Sequence, residues 1–204
     1  MREPMADIAG TALRSGMPLG ARTAVKRLPL DAGTPQVADV WIDGDLGFVL
    51  LLHRRGDGLM AEELYYSARG EGGVWERPEH LSGGIVGVET ADPSAVECAL
   101  GGAPMSVVAE SGSLVYARPG PKGDGEEFVH VWELLVSDAA DLIEIERFSP
   151  ALPEVSALSR RDLTGPLVLL VLLPGERARV QAVRRGNASL TRLGAPLELH
   201  HPER

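Results

Sequence analysis

Apolar runs too short to be helices recur along this chain from Val37 onward, and nearly every one is closed by a glycine turn. Val40-Trp41-Ile42 leads into Asp43-Gly44-Asp45 and the apolar pattern restarts over Phe48 to Leu52, which predicts two strands joined by a hairpin. Gly56-Asp57-Gly58 then leads into Leu64-Tyr65-Tyr66, and Gly70 to Gly73 turns the chain into Val74-Trp75. Four short strands follow one another with no helical period between them. Punctuation of this kind restricts the chain to mainly-β, antiparallel architectures.

One helix breaks the series. Asp92-Pro93-Ser94 places an N-cap acid ahead of a proline at the first helical position, and Gly101-Gly102 follows Leu100, predicting a short helix near 93–100. Strand signals resume over Ser106 to Ala109, turn at Ser111-Gly112, and continue over Leu114 to Ala117. A Pro- and Gly-rich loop over Pro119 to Gly125 precedes strands at Phe128 to Val136 and Leu142 to Phe148. Val155 to Leu163 reads equally as strand or helix. Leu167 to Leu173, Ala178 to Arg184 and Ser189 to Leu193 read as strands around Gly175 and Gly186-Asn187, with Leu197 and Leu199 as a final edge. The expected organisation is a poorly ordered or weakly helical segment over 1–36, its helix over Pro4 to Arg14, followed by a single mainly-β domain over 37–199.

Laying the Asp43-Gly44 turn over Ser111-Gly112 aligns two hairpins at an offset of 112 minus 44, or 68 residues, and a third unit would begin near Val155. Three such units make an incomplete β-propeller, because closure takes at least about four blades. A β-sandwich is the alternative. Within the first unit, Phe48 to Leu81 joins an apolar strand to Tyr65-Tyr66-Ser67-Ala68-Arg69, a glycine turn, Val74-Trp75 and Pro78. This stretch resembles one blade hairpin of the sialidase-like propellers, a degenerate Asp-box. Ser67 and Trp75 stand one residue farther apart than in that family and no aspartate lies between them. The resemblance implies a structural hairpin and brings no catalytic residue with it.

Charge and cysteine usage narrow the partners. With 20 Lys and Arg against 29 Asp and Glu the net charge is -9, which opposes a phosphate backbone, so nucleic acid is not expected. The lone Cys98 offers neither an intramolecular disulfide nor a cysteine zinc site. Met1 to Gly20 never reaches an uninterrupted apolar core of the kind a secretory signal needs. The longest apolar run, Leu167 to Leu173, is far short of the ~20 residues that span a bilayer. The expectation is a cytoplasmic protein with no cofactor and no membrane partner.

Candidate chemistry is sparse. Ser82, in His80-Leu81-Ser82-Gly83-Gly84, approaches a nucleophile elbow, with His80 where the first glycine belongs; a loop serine explains it more simply. His53 and His130 are the available bases, His200-His201 an exposed imidazole pair, and Asp43 with Asp45 a hairpin turn with the look of a cation loop. Glu144 and Glu146 alternate with Ile143 and Ile145, so both carboxylates share one strand face. Cys98 is expected as a small core residue of its helix. Arg177, Arg179, Arg184, Arg185 and Arg192 gather on the C-terminal hairpins, and Trp41, Tyr65, Tyr66 and Trp75 crowd the first unit. Alternation puts Tyr65 and Tyr66 on opposite faces, leaving at most one in the core. The residues expected to meet a ligand or partner are therefore Trp41, Tyr65, Tyr66, Trp75, Arg179 and Arg184. Without a coherent catalytic set, the chain reads as a non-catalytic β-domain mediating protein–protein interaction, with a protein partner or a second copy. A carbohydrate-binding protein or glycoside hydrolase-like enzyme is the alternative.

Overall fold

Two α-helices and eleven strands, with one turn of 3-10 helix at Glu71–Gly73, make up the computed structural model, which describes residues 2–16, 34–116, 125–150, 152–187 and 189–201. In chain order they are α1 (Arg2–Ser15), β1 (Gln36–Asp43), β2 (Leu46–Arg54), β3 (Met60–Ala68), β4 (Glu79–Ile85), α2 (Pro93–Leu100), β5 (Met105–Tyr116), β6 (Glu126–Val136), β7 (Leu142–Ser149), β8 (Leu152–Asp162), β9 (Leu167–Leu172), β10 (Arg177–Arg185) and β11 (Leu190–His200). The fold is mainly β, as the turn punctuation requires. Apart from Gly125, the loop expected over Pro119 to Gly125 lies outside the described residues. Contacts divide the chain into two compact units, Met1–Ala91 with Leu114–Glu127, and Asp92–Ser113 with Phe128–Arg204.

The first unit is built on an antiparallel meander, β1-β2-β3-β4. Its first hairpin turns at Gly44-Asp45, with Asp43 opposite Leu46 and Gly44 at φ +57°, the left-handed region that a two-residue turn with glycine in first place uses. The segment Val74-Trp75, expected as a strand, contributes only an isolated bridge between Arg69 and Trp75. The fourth strand is instead β4, which holds His80, Leu81 and Ser82. Helix α1 lies over one face of the meander. Met5, Ala6, Ala9, Ala12 and Leu13 form its apolar stripe and enclose a core with Val40, Val49, Leu51 and Tyr65. Gly16, at φ +65°, closes the helix by donating to the carbonyls of Ala12 and Leu13. The Trp75 indole takes the Leu13 carbonyl as well, at 3.1 Å, satisfying another acceptor of the last turn. Phe48, Leu50 and Leu64, on the other face, are buried too.

The second unit holds most of two further sheets. The chain lays β5 and β6 in one sheet, β7 and β8 in a second, returns for β9, and ends in the second with β10 and β11, giving the orders β5-β6-β9 and β11-β10-β7-β8. This is a Greek-key connection, in which β9 returns beside β6 after two strands laid in the other sheet. Ile143, Ile145, Ala178, Val180 and Ala182 fill the inner face of the larger sheet, and every residue of β9 is buried. Helix α2 begins as its sequence dictates: the Asp92 carboxylate accepts from the Ser94 amide at 2.9 Å, and Gly101 at φ +58° ends it. The ambiguous stretch after Pro153 is strand β8, paired with β7.

The turn expected at Ser111-Gly112 is absent, because β5 runs unbroken from Met105 to Tyr116. Gly112 serves close packing instead: a Cβ there would come within 2.7 Å of the Phe128 ring. With that hairpin gone, the alignment over 68 residues has no second hairpin to match. Gly47 shows the same logic beneath α1, where an added Cβ would stand 2.5 Å from Leu13 Cδ2 and 2.9 Å from the Trp75 ring. Gly47→Ala should therefore lower stability by about 1–3 kcal/mol through overpacking. Urea titration of the single variants and of Gly47→Ala/Leu13→Ala checks this, with the double variant less destabilised than the sum of its parts.

Candidate interaction edge

The aromatic residues expected at a surface are inside the first unit. Trp41 is 7% exposed, and Tyr65 and Tyr66 are 1% and 7% exposed, so the reading that at most one tyrosine is core is corrected. The physical reason is that β3 is covered on both faces, and alternation then buries both neighbours. Tyr65 joins the α1 core and meets the His80 ring edge-on at 5.3 Å. The Tyr66 hydroxyl donates to Glu79 at 3.3 Å. Burial pushes its pKa up, opposed by the Tyr116 backbone amide, while the Glu79 carboxylate adds to the rise. Trp75 is half-buried, held by its bond to Leu13 and by the Arg69 guanidinium 4.4 Å above its ring.

The arginines of the C-terminal hairpins are likewise engaged. Glu144, with its side chain 6% exposed, receives Arg160 at 2.8 Å and Arg192 at 3.1 Å. Arg179 bridges Glu198 at 2.6 Å and Glu146 at 3.4 Å. Arg185 pairs with Asp162, Arg184 donates to the Ala139 carbonyl at 2.9 Å, and Arg177 lies 4.5 Å over the Phe148 ring. Glu144 and Glu146 do share the outer face of the larger sheet, but as the acidic members of this charge lattice. The paired arginines hold the Glu144 carboxyl below its ordinary value against the opposing effect of burial.

Ser82 sits within β4 opposite Leu64, so no strand-to-helix turn presents its hydroxyl. The glycines after it have another use: a Cβ on Gly83 would meet Glu63 at 2.6 Å, and one on Gly84 would meet Glu62 at 2.9 Å. Glu63 is the residue sequence reading missed. Its carboxylate accepts from His80 Nε2 at 2.5 Å and stands 3.5 Å from His53 Nε2, placing two imidazoles and a carboxylate on three neighbouring strands. A cross-strand register, invisible before the pairing is known, brings them together. In the second unit His130 stacks on Trp132 at 4.2 Å and lies 6.0 Å from His201, which donates from Nε2 to the Phe128 carbonyl at 3.1 Å. Burial lowers the His130 pKa, with Glu110 opposing and His201 adding to the fall. His201 is buried, whereas Cys98 is exposed: α2 turns Val96 and Leu100 inward, which puts Cys98 on the outer side. Among the described residues no group of three or more His, Cys, Asp or Glu converges to hold a metal, and no helix is long and apolar enough to cross a membrane.

The surface that stands apart is an edge. An end strand leaves a row of amides and carbonyls without sheet partners, and proteins blunt such rows with proline, bulges, cations or cover. At β11, Gly194 at φ +61° and Pro196 sit in a bulge where Gln181 Nε2 donates to the Leu193 carbonyl at 2.7 Å. Arg160 and Arg161 lie within β8 beside its exposed Val155 and Leu158, β4 is a seven-residue strand with one exposed aliphatic side chain, Ile85, β9 is wholly buried, and Asp39, Val40 and Trp41 of β1 are buried. In contrast, β5 extends over 12 residues with no proline, lysine or arginine and with Glu110 as its sole charge. Val107, Val108, Leu114 and Tyr116 are 39%, 43%, 47% and 60% exposed.

These features define a mainly-β protein with a long strand, low in charge and partly exposed, at the end of a three-stranded sheet. Comparison with known proteins finds no match to a family model, a curated protein or a solved structure.

The charge lattice has a pH signature. Because the folded pKa of Glu144 is depressed, its contribution is present above the unfolded value of about 4.5 and is lost as pH falls through the folded one. Glu144→Gln should cost about 1–3 kcal/mol at pH 7, and urea titrations between pH 7 and 3 should show a flatter acid limb than the unmodified chain.

Proposed function

We propose that the chain is a non-catalytic protein-interaction module that takes a partner strand along β5. The observation that carries this reading is the contrast, among the described residues, between β5 and the other sheet edges: it joins length and several exposed aliphatic side chains, whereas β8 and β11 carry proline and arginine, β4 is only seven residues long, and β1 and β9 are buried at their centres. A strand added there forms main-chain hydrogen bonds with the edge, and the exposed Val108, Leu114 and Tyr116, which alternation sets on one face, give side-chain selectivity. The residues that suggested carbohydrate chemistry support it less well, since Trp41, Tyr65 and Tyr66 are buried and Glu144 is locked by arginine. Lysines placed on the edge should abolish such pairing while leaving the core intact. Immobilised chain and its Val108→Lys/Leu114→Lys variant, matched by circular dichroism and urea midpoint, are exposed to soluble lysate supplemented with an untagged copy of the chain. Proteins held by the first and released by the variant are the expected result. A captured set identical for both, or no capture by either, removes β5 as the interaction site.

A further inference from the structure

We propose that the strand received by β5 is β5 of a second copy, paired antiparallel about a two-fold axis that passes through Ser111. This inference rests on β5 being an interaction edge, and it goes further by naming the occupant and the register.

A two-fold interface must be complementary to itself, so a strand that pairs with its own copy needs a pattern that reads compatibly in both directions. The stretch from Val107 to Val115 has one. Counting outward from Ser111, Val108 and Leu114 stand at equal distance, as do Val107 and Val115, with Ala109 matched to Ser113 and Glu110 to Gly112. In the two-fold pair each of these residues lies opposite its counterpart in the other copy. The exposed Val108 and Leu114 then meet at both ends of the ladder, with Val115 already buried in its own chain, and small residues meet in the middle, an arrangement favoured in cross-strand pairs. A partner of unrelated sequence would place no such demand on this strand.

Charge selects the register. Glu110 is the sole ionisable side chain of the strand between Met105 and Tyr116 apart from the Tyr116 phenol. About Ser111 it falls opposite Gly112, which has no side chain, and the two glutamates stay off each other. Moving the axis to residue 110, the neighbouring register that keeps the same faces together, sets Glu110 directly against Glu110 of the other copy. Moving it to residue 112 sets Glu110 against Leu114. Both alternatives lose the match of Val108 with Leu114.

Each copy carries a net charge of -9, so long-range repulsion opposes association and salt relieves it. Self-association should accordingly tighten several-fold when ionic strength rises from about 0.05 M to about 0.5 M, the reverse of an interface held by ion pairs.

Disulfide trapping tests the register. In a Cys98→Ser background, Ser111→Cys puts one thiol against its own copy, and mild oxidation should give mainly cross-linked dimer. Ala109→Cys alone and Ser113→Cys alone should not cross-link, since identical residues there lie about 13 Å apart along the ladder, beyond disulfide reach. An equimolar mixture of those two chains should cross-link. Sedimentation of the unmodified chain supplies the second measurement. A dimer with this cross-linking pattern supports the proposal, and a dimer that cross-links equally at all three sites, or only at 109 or 113, overturns the register. A chain that stays monomeric at about 100 μM, at both ionic strengths, overturns the second copy as occupant. If such a monomer still captures another protein through Val108 and Leu114, the interaction reading survives without it; if it captures nothing, both fall.

Discussion

The docking of α1 on the meander determines much of the first unit. An antiparallel sheet of four strands is ordinarily dry on one face and wet on the other. Here the stripe from Met5 to Leu13 seals the face that carries Val49, Leu51 and Tyr65, while Phe48 and Leu50 are buried opposite. Tight seating follows from small residues on both sides, Ala9 and Ala12 on the helix and Gly47 on β2. Trp75 finishes the joint by covering Gly47 and holding the Leu13 carbonyl. Its ring is therefore spent on structure.

The second unit handles its exposed face differently. The outer side of the β11-β10-β7-β8 sheet is covered by crossed charges, with Glu144 receiving two arginines and Arg179 bridging two glutamates. Exposed pairs of this kind stabilise little individually. Their effect is larger at Glu144, whose carboxylate is nearly enclosed and would be expensive to leave unpaired. The lattice also takes the arginines out of circulation. What looks in the sequence like a basic patch is electrically closer to neutral, and the proposed contact surface moves to an exposed edge with almost no charge.

How much of this was legible in the sequence depends on the range of the interaction involved. The hairpin at Gly44, the capped helix between Asp92 and Gly101 and the strands over 128–136, 167–172 and 177–185 rest on local signals, and they are present. Ser111-Gly112 looks like a turn because glycine near serine usually is one, but Gly112 answers to the Phe128 ring on the neighbouring strand. Cys98 was expected in the core from its composition alone, and helical phase puts it outside. The two tyrosines were assigned from alternation, which gives opposite faces but not what covers them. Glu63 escaped notice since its histidines come from positions ten residues before it and seventeen after. Cross-strand neighbours of that kind become visible only with the register.

The two units also differ in how far the chain must reach to complete them. Each ladder of the meander joins strands adjacent in sequence, so it can be assembled one hairpin at a time. The second unit cannot: β6 waits for β9, with His130 opposite Leu172, and β7 waits for β10, with Ile145 opposite Val180. Distant pairing pays its loop-closure entropy before any contact rewards it, and folding through such contacts is slower. During synthesis the first ninety or so residues can be largely paired while β6 still lacks a neighbour on one side. The Greek key therefore sets a clock within the chain, in which the arrival of β9 decides when the three-stranded sheet, and the edge it carries, becomes rigid.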